Sequence, residues 1–531
     1  MPEDYDPALK KWTVATLPIV PDAVRYKPIA KTAGRLEIVR KCFKSRGNGP
    51  FLLATDAERE GEIIGAVYER DKSIEGFSRE KYVEVTATLT GENGAFTVKL
   101  VNADDAEFPA RFPLGASLPG KVDAAKDAMR SGIVREAERE RKTVHPPKLY
   151  NLTTLQKDAH KIYSYPPERT LELAQSLYEK HECLSYPRTP SRVMGDGNVG
   201  LVKDIFRKLC EAFPNEAEGS DPESISPGNK RLFNSAELRD HHALVPLDIP
   251  AGNLSADERN VYMLVLQSFF RVLGPPHVYN SVKIKMDISG FPFAGSGVEV
   301  LHDGWKAFSD HETDGDESEG REDFTGIERG KSYPVESVNA RERETEPKKR
   351  HTFASLLSLM ENPRDVDGRH LVGLGTPATR GAILKKLVDC GYLLTKGKSV
   401  TLSDDGKFLM ENIAGNERLS AFFSVPETTK WEERLHADTA AFLDGIREFV
   451  RLIVAHSEVE AYSRQRKSLG KCPLCGGEVY ESQKSYHCEN YKGGDPCKFA
   501  VWKEICGAAV SEADVRALLS GKRRVPKNVK A

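Results

Sequence analysis

Four cysteines near the carboxyl end have the spacing of a metal site. Cys472 and Cys475 form a C-x2-C pair, and Cys488 and Cys497 complete a C-x2-C-x12-C-x8-C pattern. Four thiolates around one ion make a closed tetrahedral zinc site, which is structural because no position remains for water. The alternative is four reduced cysteines without an ion. In a chain with few other cysteines, this clustering favours the metal.

The same segment interleaves aromatic side chains with lysines. The aromatic residues are Tyr480, Tyr486, Tyr491, Phe499 and Trp502, and the lysines are Lys484, Lys492, Lys498 and Lys503. This pattern suits stacking on the bases of single-stranded nucleic acid. Packing of a very small core explains any one of these rings equally well.

An acidic cluster lies at a predicted strand-to-helix junction near the amino end. Asp56 and Glu58 follow the apolar run GPFLLAT, and Glu60 comes two residues later. Carboxylates at this place could hold Mg²⁺, which prefers a few carboxylates together with waters and phosphate oxygens. An acidic first helical turn also complements the helix dipole, so the cluster alone does not distinguish a magnesium site from an ordinary helix start.

A tyrosine and an arginine lie two positions apart in the segment LSYPRTPS. A phenol is ordinarily ionised only at a pH of about 10, so attack of Tyr186 on phosphorus needs nearby positive charge and a proton acceptor. Arg188 could clamp a phosphate with two parallel hydrogen bonds. The run Asp240-His241-His242 could relay the proton. For Tyr186-Pro187-Arg188 taken alone, the simpler interpretation is a buried tyrosine beside a surface arginine.

The elements that must position these residues alternate between helical and extended patterns. Residues 35–70 predict helix, strand and helix, which is half of a doubly wound α/β unit. Residues 80–104 and 277–300 alternate as antiparallel strands. They bracket a helical block from 146 to about 274, which predicts an insertion between strands of one β domain. Residues 351–465 are predicted to be mostly helical.

Charge and hydropathy exclude several classes of protein. The 531 residues carry 77 Lys and Arg against 79 Asp and Glu, so nucleic-acid contact must come from local basic patches. No apolar run approaches the ~18 residues of a membrane span, and the start MPEDYD lacks the apolar stretch of a secretory signal. The sequence predicts a cytoplasmic protein without a membrane partner. Residues 309–323 carry eight acids and one arginine, which predicts a mobile, solvated loop.

Together these segments resemble a type IA DNA topoisomerase, most closely the topoisomerase III branch. SYPRT and GLGTPATR are the most specific of them. The matching stretches, in chain order, are PEDYDPALKKW, LPIVP, ATDAEREGE, PPKLYNLTTLQKDA, TLELAQSLYEKHECLSYPRT, DHHALVP, GLGTPATRGAILKKL and the cysteine segment. The resemblance covers most of the chain.

The resemblance implies a multidomain α+β toroid. Its expected parts are a partial TOPRIM α/β domain at residues 1–72, a β gate domain at 73–147 and 276–342, an inserted helical domain bearing the tyrosine at 148–275, a helical DNA-binding domain at 343–466, and a zinc-binding repeat at 467–531. The gate would open when the tyrosine-bearing domain swings away, with its hinge at the two β segments that flank residues 148–275.

The resemblance also implies a reaction and its residues. Tyr186 would form a 5′-phosphotyrosyl link to one strand, Arg188 would position the scissile phosphate, and His241 would lie beside it. Asp56 and Glu58 would ligate Mg²⁺ with support from Glu60, while Zn²⁺ would be structural. The expected DNA contacts are His242, Thr376, Thr379 and Arg380. The implied activity is transient single-strand cleavage, strand passage and ATP-independent religation, which relaxes or decatenates DNA. The implied partners are DNA with single-stranded regions, near the nucleoid, and a helicase.

The sequence departs from the family pattern at four places. It lacks an Ala-Glu-Lys-Pro-like strand before the acidic cluster and a Gly-Arg-Val-Gln-Thr-Pro-like segment beyond Gly65. Glu58 replaces the usual aspartate, and Pro190 stands where the family usually has an acid. These departures predict weak or absent cleavage. The alternative functions are therefore a truncated, catalytically impaired relative that only binds single-stranded DNA, and a zinc-stabilised scaffold for protein partners.

Overall fold

The computed structural model describes residues 61–102, 104, 109–308, 322–364, 367–371, 373–414, 439–456, 468–482, 485–492, 497–505 and 508–522. The acidic cluster at Asp56, Glu58 and Glu60, the helix and strand predicted before it, and most of the acidic loop lie outside the described residues. The chain divides into two compact units, Met1–Val454 and Ala455–Ala531.

An eight-stranded sheet organises the first unit. Its strands are β1 (Lys81–Thr90), β2 (Ala95–Leu100), β3 (Phe112–Pro113), β4 (Ser131–Val144), β5 (His277–Ile288), β6 (Phe291–His302), β7 (Glu322–Asp323) and β8 (Ser332–Glu344). The order β2-β1-β8-β4-β5-β6 closes on itself because β6 also pairs with β2. The short strand β3 pairs with β1, and β7 runs parallel to β6.

The alternating sequence of the strands builds the core of this sheet. Val85, Ala87 and Leu89 of β1 are fully buried, and the threonines between them are only partly covered. The ring of Phe96 meets that of Phe324 edge-on at 5.5 Å between centroids. The helix α1 (Gly61–Glu75) precedes the sheet, and α2 (Ser117–Ala125) packs against β1 and β8.

A helical block lies between β4 and β5. Because Val144 pairs with His277, the chain leaves the sheet and returns to it at the same end of two adjacent strands. The block contains α3 (Leu152–Tyr163), α4 (Pro167–Glu179), α5 (Val199–Ala212), α6 (Pro214–Ala217) and α7 (Ala256–Arg271). Residues 180–198 and 218–255 are largely irregular where the sequence predicted helix. These irregular segments carry the Tyr-Pro-Arg and Asp-His-His motifs.

A third group of elements follows the sheet. It contains β9 (His351–Thr352), α8 (Phe353–Glu361), α9 (Pro377–Asp389), β10 (Leu393–Lys396), β11 (Ser399–Leu402), α10 (Asp404–Ala414) and α11 (Thr439–His456). The prediction of mostly helix omitted the β10–β11 hairpin, whose turn places Gly397 at φ +59°. A four-residue strand is too short for its alternation to stand out. The helix α1 packs into this group through Ile63 and Val67.

The second unit is a small antiparallel sheet with one helix. Its elements are β12 (Gly470–Lys471), β13 (Glu478–Glu481), β14 (Ser485–Cys488), β15 (Ala500–Trp502), β16 (Glu504–Ile505), β17 (Ala508–Ala509) and α12 (Glu512–Leu519). The strands β12 to β15 pair in order, and β16 pairs with β17. Val479, Tyr486 and Val515 form the centre of its core.

Among the described helices, none has the length and apolar character needed to cross a bilayer.

Candidate active-site cavity and cysteine cluster

Two buried hydroxyl residues fix the loop that carries Tyr186. Before the tyrosine, the Ser185 amide donates to the Val245 carbonyl at 3.0 Å, and the Ser185 hydroxyl accepts from the Val245 amide at 2.9 Å. After it, the Thr189 hydroxyl donates to the carbonyl of His241 at 3.1 Å. The Tyr-Pro-Arg run is therefore held at both ends against the segment that carries the histidines.

The ring of Tyr186 lies between two other rings and is half-buried. The His241 ring is 4.6 Å away between centroids at an interplanar angle of 49°, and the Tyr178 ring is 5.6 Å away, edge-on at 78°. Tyr178 belongs to α4 and keeps 38% of its surface exposed. The structure thus brings together the predicted nucleophile and the predicted histidine neighbour, and it adds an aromatic partner from α4.

The Arg188 side chain is oriented by the same helix. Its Nη2 donates to the Oε1 of Gln175 at 3.2 Å, and Gln175 lies one turn before Tyr178 on α4. Arg188 is exposed and lines a large cavity. One face of α4 therefore contacts both the tyrosine and the arginine of the motif.

The cavity has a volume of about 1100 Å³ and lies between the helical block and the amino end of α9. Pockets for small molecules usually have volumes of about 300–1,000 Å³, so this one has room for a segment of a polymer. Arg188, Pro190 and Asp240 line it, whereas Tyr186 precedes Arg188 by two residues and His241 directly follows Asp240. The remaining polar lining residues are His145, Lys148, Asn151, Ser191, Arg192, Arg231, Glu237, Arg239, Trp305, Glu361, Thr376 and Arg380.

Positive charge exceeds negative charge in this lining. Of its acids, Glu237 is paired with Lys148, and Glu361 lies 3.2 Å from the Nζ of Lys157. Within the described chain, Arg188, Arg192, Arg231 and Arg239 form no ion pair within 4 Å. Unpaired guanidinium groups around a wide opening attract phosphates.

The amino end of α9 faces the cavity through Thr376 and Pro377. The hydroxyl of Thr379 accepts from the Thr376 amide at 2.9 Å and lies 3.1 Å from the Thr376 hydroxyl. The predicted pair of DNA-contacting threonines is thus a reciprocal helix cap, with the positive end of the helix dipole beside the cavity.

Arg380 is buried and bonded within the protein. Its Nε donates to the Leu374 carbonyl at 3.1 Å and its Nη1 to the Thr153 hydroxyl at 3.0 Å, with Glu361 at 3.8 Å. Burial lowers the pKa of its guanidinium below the ordinary value. Because Thr153 belongs to α3, Arg380 joins the helical block to α9, and its expected contact with DNA stays a prediction.

His242 is turned towards its own backbone. Its Nδ1 lies 2.9 Å from the carbonyl oxygen of Ala243. Asp240 and His241 are exposed, whereas His242 is half-buried. Of this run, Asp240 and His241 are better placed than His242 to meet a substrate.

The four predicted cysteine ligands converge in the second unit. Their sulfur atoms all lie within 4.8 Å of one another. The sulfurs of Cys472 and Cys497 are 3.6 Å apart, and those of Cys475 and Cys488 are 3.3 Å apart. Zinc–sulfur bonds of about 2.3 Å in a tetrahedron give about 3.8 Å between sulfurs, so the donor set fits a zinc ion.

Two thiols of the cluster differ in how readily they ionise. A backbone hydrogen bond from Gly477 is the largest cause that lowers the pKa of Cys475 to about 6, whereas burial raises the pKa of Cys488 to about 12. Cys475 is exposed and Cys488 is buried. The exposed thiolate of Cys475 is therefore the one most readily offered to an incoming cation.

The aromatic rings near this cluster divide between core and surface. Tyr486 is buried, and its hydroxyl donates to the Val510 carbonyl at 3.3 Å, while Phe499 packs partly against the same core. Trp502 is 56% exposed and Tyr491 39%. Core packing explains the first two rings, and the last two remain available for stacking.

Comparison with known proteins decides the family. A family model described as DNA topoisomerase matches residues 63–438. The chain belongs to the DNA topoisomerase family. Its sequence is 26% identical over 572 residues to DNA topoisomerase 3 of Bacillus licheniformis and 27% identical over 567 residues to that of Staphylococcus haemolyticus. Each alignment covers 90% of this chain and 78% of the relative.

A solved structure agrees with this assignment at the level of the fold. Full-length topoisomerase I from Thermotoga maritima matches with a TM-score of 0.53 and 21% identity, over 85% of this chain and 71% of that one. The resemblance to a type IA topoisomerase is confirmed. The chain is an isomerase of type IA, the class that breaks and rejoins one DNA strand.

Sequence reasoning missed several residues in or beside the topoisomerase cavity. Gln175 and Tyr178 stood in the quoted run TLELAQSLYEKHECLSYPRT, two turns and one turn before the end of a helical pattern, so their shared face could have been inferred. Arg192 follows Arg188 by four residues, so its place near the motif could also have been inferred. Arg231 and Arg239 carried no local signal because folding alone brings them to the cavity.

Proposed function

We propose that this topoisomerase cleaves one DNA strand through the phenolic oxygen of Tyr186. The observation that carries the proposal is the position of this ring between His241 and Tyr178, with Arg188, two residues further along the chain, in the lining of a polymer-sized cavity. Within the described residues, the Tyr186 hydroxyl has no hydrogen-bond partner, so it is available to a substrate.

The reaction exchanges one phosphodiester for another. The oxygen of Tyr186 bonds to phosphorus while the bond from phosphorus to the deoxyribose 3′ oxygen breaks, and that departing oxygen takes up a proton. The 5′ phosphate stays on the tyrosine while a second strand passes. The 3′-hydroxyl then reverses the attack. Because the two esters are close in free energy, relaxation or decatenation needs no ATP.

We assign the stabilisation of phosphate charge and the transfer of the phenol proton to residues near Tyr186. Arg188 holds the scissile phosphate and stabilises the charge that develops on its oxygens. His241 lies beside the phenol and accepts its proton, with Asp240 next to it. Asp56 and Glu58, with support from Glu60, would hold Mg²⁺, which would neutralise phosphate charge when bound.

The substrate we propose is DNA with single-stranded regions. The width of the cavity and its unpaired arginines support a sugar–phosphate backbone as the occupant. Thr376, Thr379, Arg380 and His242 remain predicted contacts to that backbone. A helicase that supplies single-stranded regions remains a predicted partner.

We assign the cysteine cluster to one structural Zn²⁺ ion. Cys472, Cys475, Cys488 and Cys497 offer four sulfurs at tetrahedral spacing, and no fifth ligand is required. The ion stabilises the second unit, and the exposed rings of Tyr491 and Trp502 would stack on unpaired bases.

The test is covalent capture. The protein is incubated with Mg²⁺ and a single-stranded oligonucleotide labelled at its 3′ end, and the reaction is stopped with detergent. We expect a labelled, detergent-resistant adduct from the native chain and none from Tyr186→Phe. Tyr163→Phe is the matched control, because Tyr163 stacks on Tyr165 and not on the rings around Tyr186, and a phenylalanine keeps that contact.

Two outcomes would change the proposal. An adduct that persists in Tyr186→Phe would show that another residue is the nucleophile. Native protein that binds the oligonucleotide and forms no adduct would support the alternative of a catalytically impaired relative. Pro190 favours that alternative, because it lines the cavity at the position where the family usually has an acid.

A further inference from the structure

Three arginines in the cavity lie apart from the Tyr-Pro-Arg motif. Arg192 and Arg231 are half-buried and Arg239 is exposed, and all three line the cavity that Arg188 shares. They come from two irregular segments of the helical block. We infer that Arg192, Arg231 and Arg239 form a second phosphate-binding site, which holds the DNA backbone next to the scissile position.

Two of these guanidinium groups are fixed by the segment that enters the helical block. Arg192 donates from Nε to the Leu149 carbonyl at 3.0 Å and from Nη2 to the Lys148 carbonyl at 3.1 Å. Arg231 donates from Nε to the carbonyl of Pro146. A guanidinium has five N–H donors, so both arginines retain donors for a ligand. Because their positions are already set, binding a phosphate costs little side-chain entropy.

The third arginine is held through its backbone. The amide of Arg239 donates to the Ser191 hydroxyl at 3.0 Å, which ties the segment of Arg239 to that of Arg192. Among the described residues, the Arg239 side chain makes no hydrogen bond or ion pair. It is therefore free to reach a ligand in the cavity.

The acids nearby do not cancel this charge. Glu237 is paired with Lys148, and Glu361 is shared by Lys157 and Arg380, so Asp240 is the one lining carboxylate without an ion pair in the described structure. The three arginines and Arg188 outnumber this one carboxylate. Their excess positive charge favours an anion with several negative groups.

The size of the cavity selects the kind of anion. At about 1100 Å³ it exceeds the usual pocket for a single nucleotide-sized ligand, and its forked donors match phosphate oxygens. A DNA strand supplies one phosphate per nucleotide, so it can occupy Arg188 and the second site at once. This inference rests on the proposed function for the identity of the ligand, and it concerns affinity, not cleavage.

Salt-dependent binding tests the second site. Affinity for a single-stranded oligonucleotide is measured by fluorescence anisotropy without added Mg²⁺ or chelator over a series of salt concentrations, with Tyr186→Phe as the background so that no cleavage occurs. Each neutralised phosphate contributes about 0.7 to the slope of log K against log salt for single strands. We expect Arg239→Gln to lower the slope by about 0.7, and the triple change of Arg192, Arg231 and Arg239 to Gln to lower it by about 2.

Control variants separate charge from folding. Arg207→Gln removes an exposed arginine that pairs with Asp204 on α5, and it should leave the slope unchanged. Arg192→Lys keeps the charge, so it should keep most of the slope. An oligonucleotide with uncharged methylphosphonate linkages should bind the native and triple-variant proteins equally.

The results distinguish this inference from the proposed function. A slope that is unchanged in Arg239→Gln and in the triple variant overturns the second site, whatever the adduct assay shows. A reduced slope in a protein that forms no adduct upholds the second site while the nucleophile assignment fails. Arg239→Gln decides alone if the triple variant does not fold, because within the described residues the Arg239 side chain makes no hydrogen bond or ion pair that the variant would lose.

Discussion

Arg380 in α9 and Thr153 in α3 share a buried hydrogen bond of 3.0 Å that joins α9 to the helical block beside the cavity. The same arginine donates to the Leu374 carbonyl, and Lys157 of α3 reaches Glu361 of α8 at 3.2 Å. The helical block therefore meets the group of α8 and α9 in a polar contact. Any motion that separates these two parts would have to break it.

Loss of the guanidinium at this contact should destabilise the first unit. We expect Arg380→Met to lower the free energy of unfolding by about 2–4 kcal/mol, because it removes two hydrogen bonds from a charged group and leaves the Leu374 carbonyl unpaired. Urea denaturation measures this loss. In a double-mutant cycle with Thr153→Val, the coupling should be about 0.5–3 kcal/mol. Unchanged stability together with a salt slope lower by about 0.7 would instead make Arg380 a DNA contact.

The ring of Tyr178 should matter for the rate of cleavage. It meets Tyr186 edge-on at 5.6 Å, and such pairs are worth about 0.5–1.5 kcal/mol. We expect Tyr178→Ala to slow adduct formation about 2- to 10-fold at saturating DNA, because the nucleophile loses one of its two ring contacts. Tyr178→Phe keeps the ring and should keep the rate. Equal rates in Tyr178→Ala and the native protein would exclude a positioning role.

Local patterns sufficed to predict several elements and one site. The spacing from Cys472 to Cys497 predicted the cluster that the structure brings together, because all four ligands lie in one short hairpin-rich segment. The block from 146 to about 274 was predicted to be helical, and α7 forms there behind a capping box made by Ser255 and Glu258. The alternation of KYVEVTATL predicted a strand, and β1 lies there.

Other features depend on contacts that no local pattern encodes. Arg231 and Arg192 meet at the cavity because both donate to carbonyls of residues 146–149, which belong to a third part of the sequence. The closure of the sheet depends on the β2–β6 pairing, which joins strands on either side of the helical block. Each of these depends on the tertiary fold, so periodicity and spacing could not reveal it.

The cysteine cluster should hold one zinc ion per chain. We expect a strong chelator to release one equivalent, and Cys488→Ser to be purified with almost none, because the ion would lose a buried ligand. Metal analysis by mass spectrometry measures both. Cys390→Ser changes an exposed cysteine in the first unit and should retain the zinc. Full metal content in Cys488→Ser would exclude the four-sulfur site.

Acid should weaken the first unit through His351. Burial is the main cause that lowers the pKa of His351 to about 4. In the unfolded chain this histidine takes up a proton near pH 6.5, whereas in the folded chain it stays neutral until about pH 4. Its contribution to stability is therefore complete above pH 6.5 and is lost as the pH falls towards 4, up to about 3 kcal/mol. His351→Gln should flatten this part of the stability curve measured by urea denaturation, and an equal pH dependence in both proteins would contradict the assignment.

Trp305 ties together the two crossings between the sheet and the helical block. Its indole Nε1 donates to the Val144 carbonyl at 3.0 Å, and its amide donates to the Pro275 carbonyl at 2.9 Å, so one residue contacts both the outgoing and the returning chain. It is 3% exposed and also lines the cavity. A change in the angle between the sheet and the block would therefore move its side chain.

We expect two substitutions of Trp305 to separate the hinge from the chemistry. Trp305→Phe loses the indole hydrogen bond, about 1 kcal/mol, and should slow relaxation of supercoiled DNA while adduct formation on a short oligonucleotide stays near the native rate. Trp305→Ala also leaves a cavity and should cost about 3–5 kcal/mol of stability. The decisive quantity is the ratio of the relaxation rate to the cleavage rate. If Trp305→Phe lowers both rates equally, the tryptophan acts through the cavity and not through the crossings, since looser crossings would impair only the swing that we predict for the block and not cleavage itself.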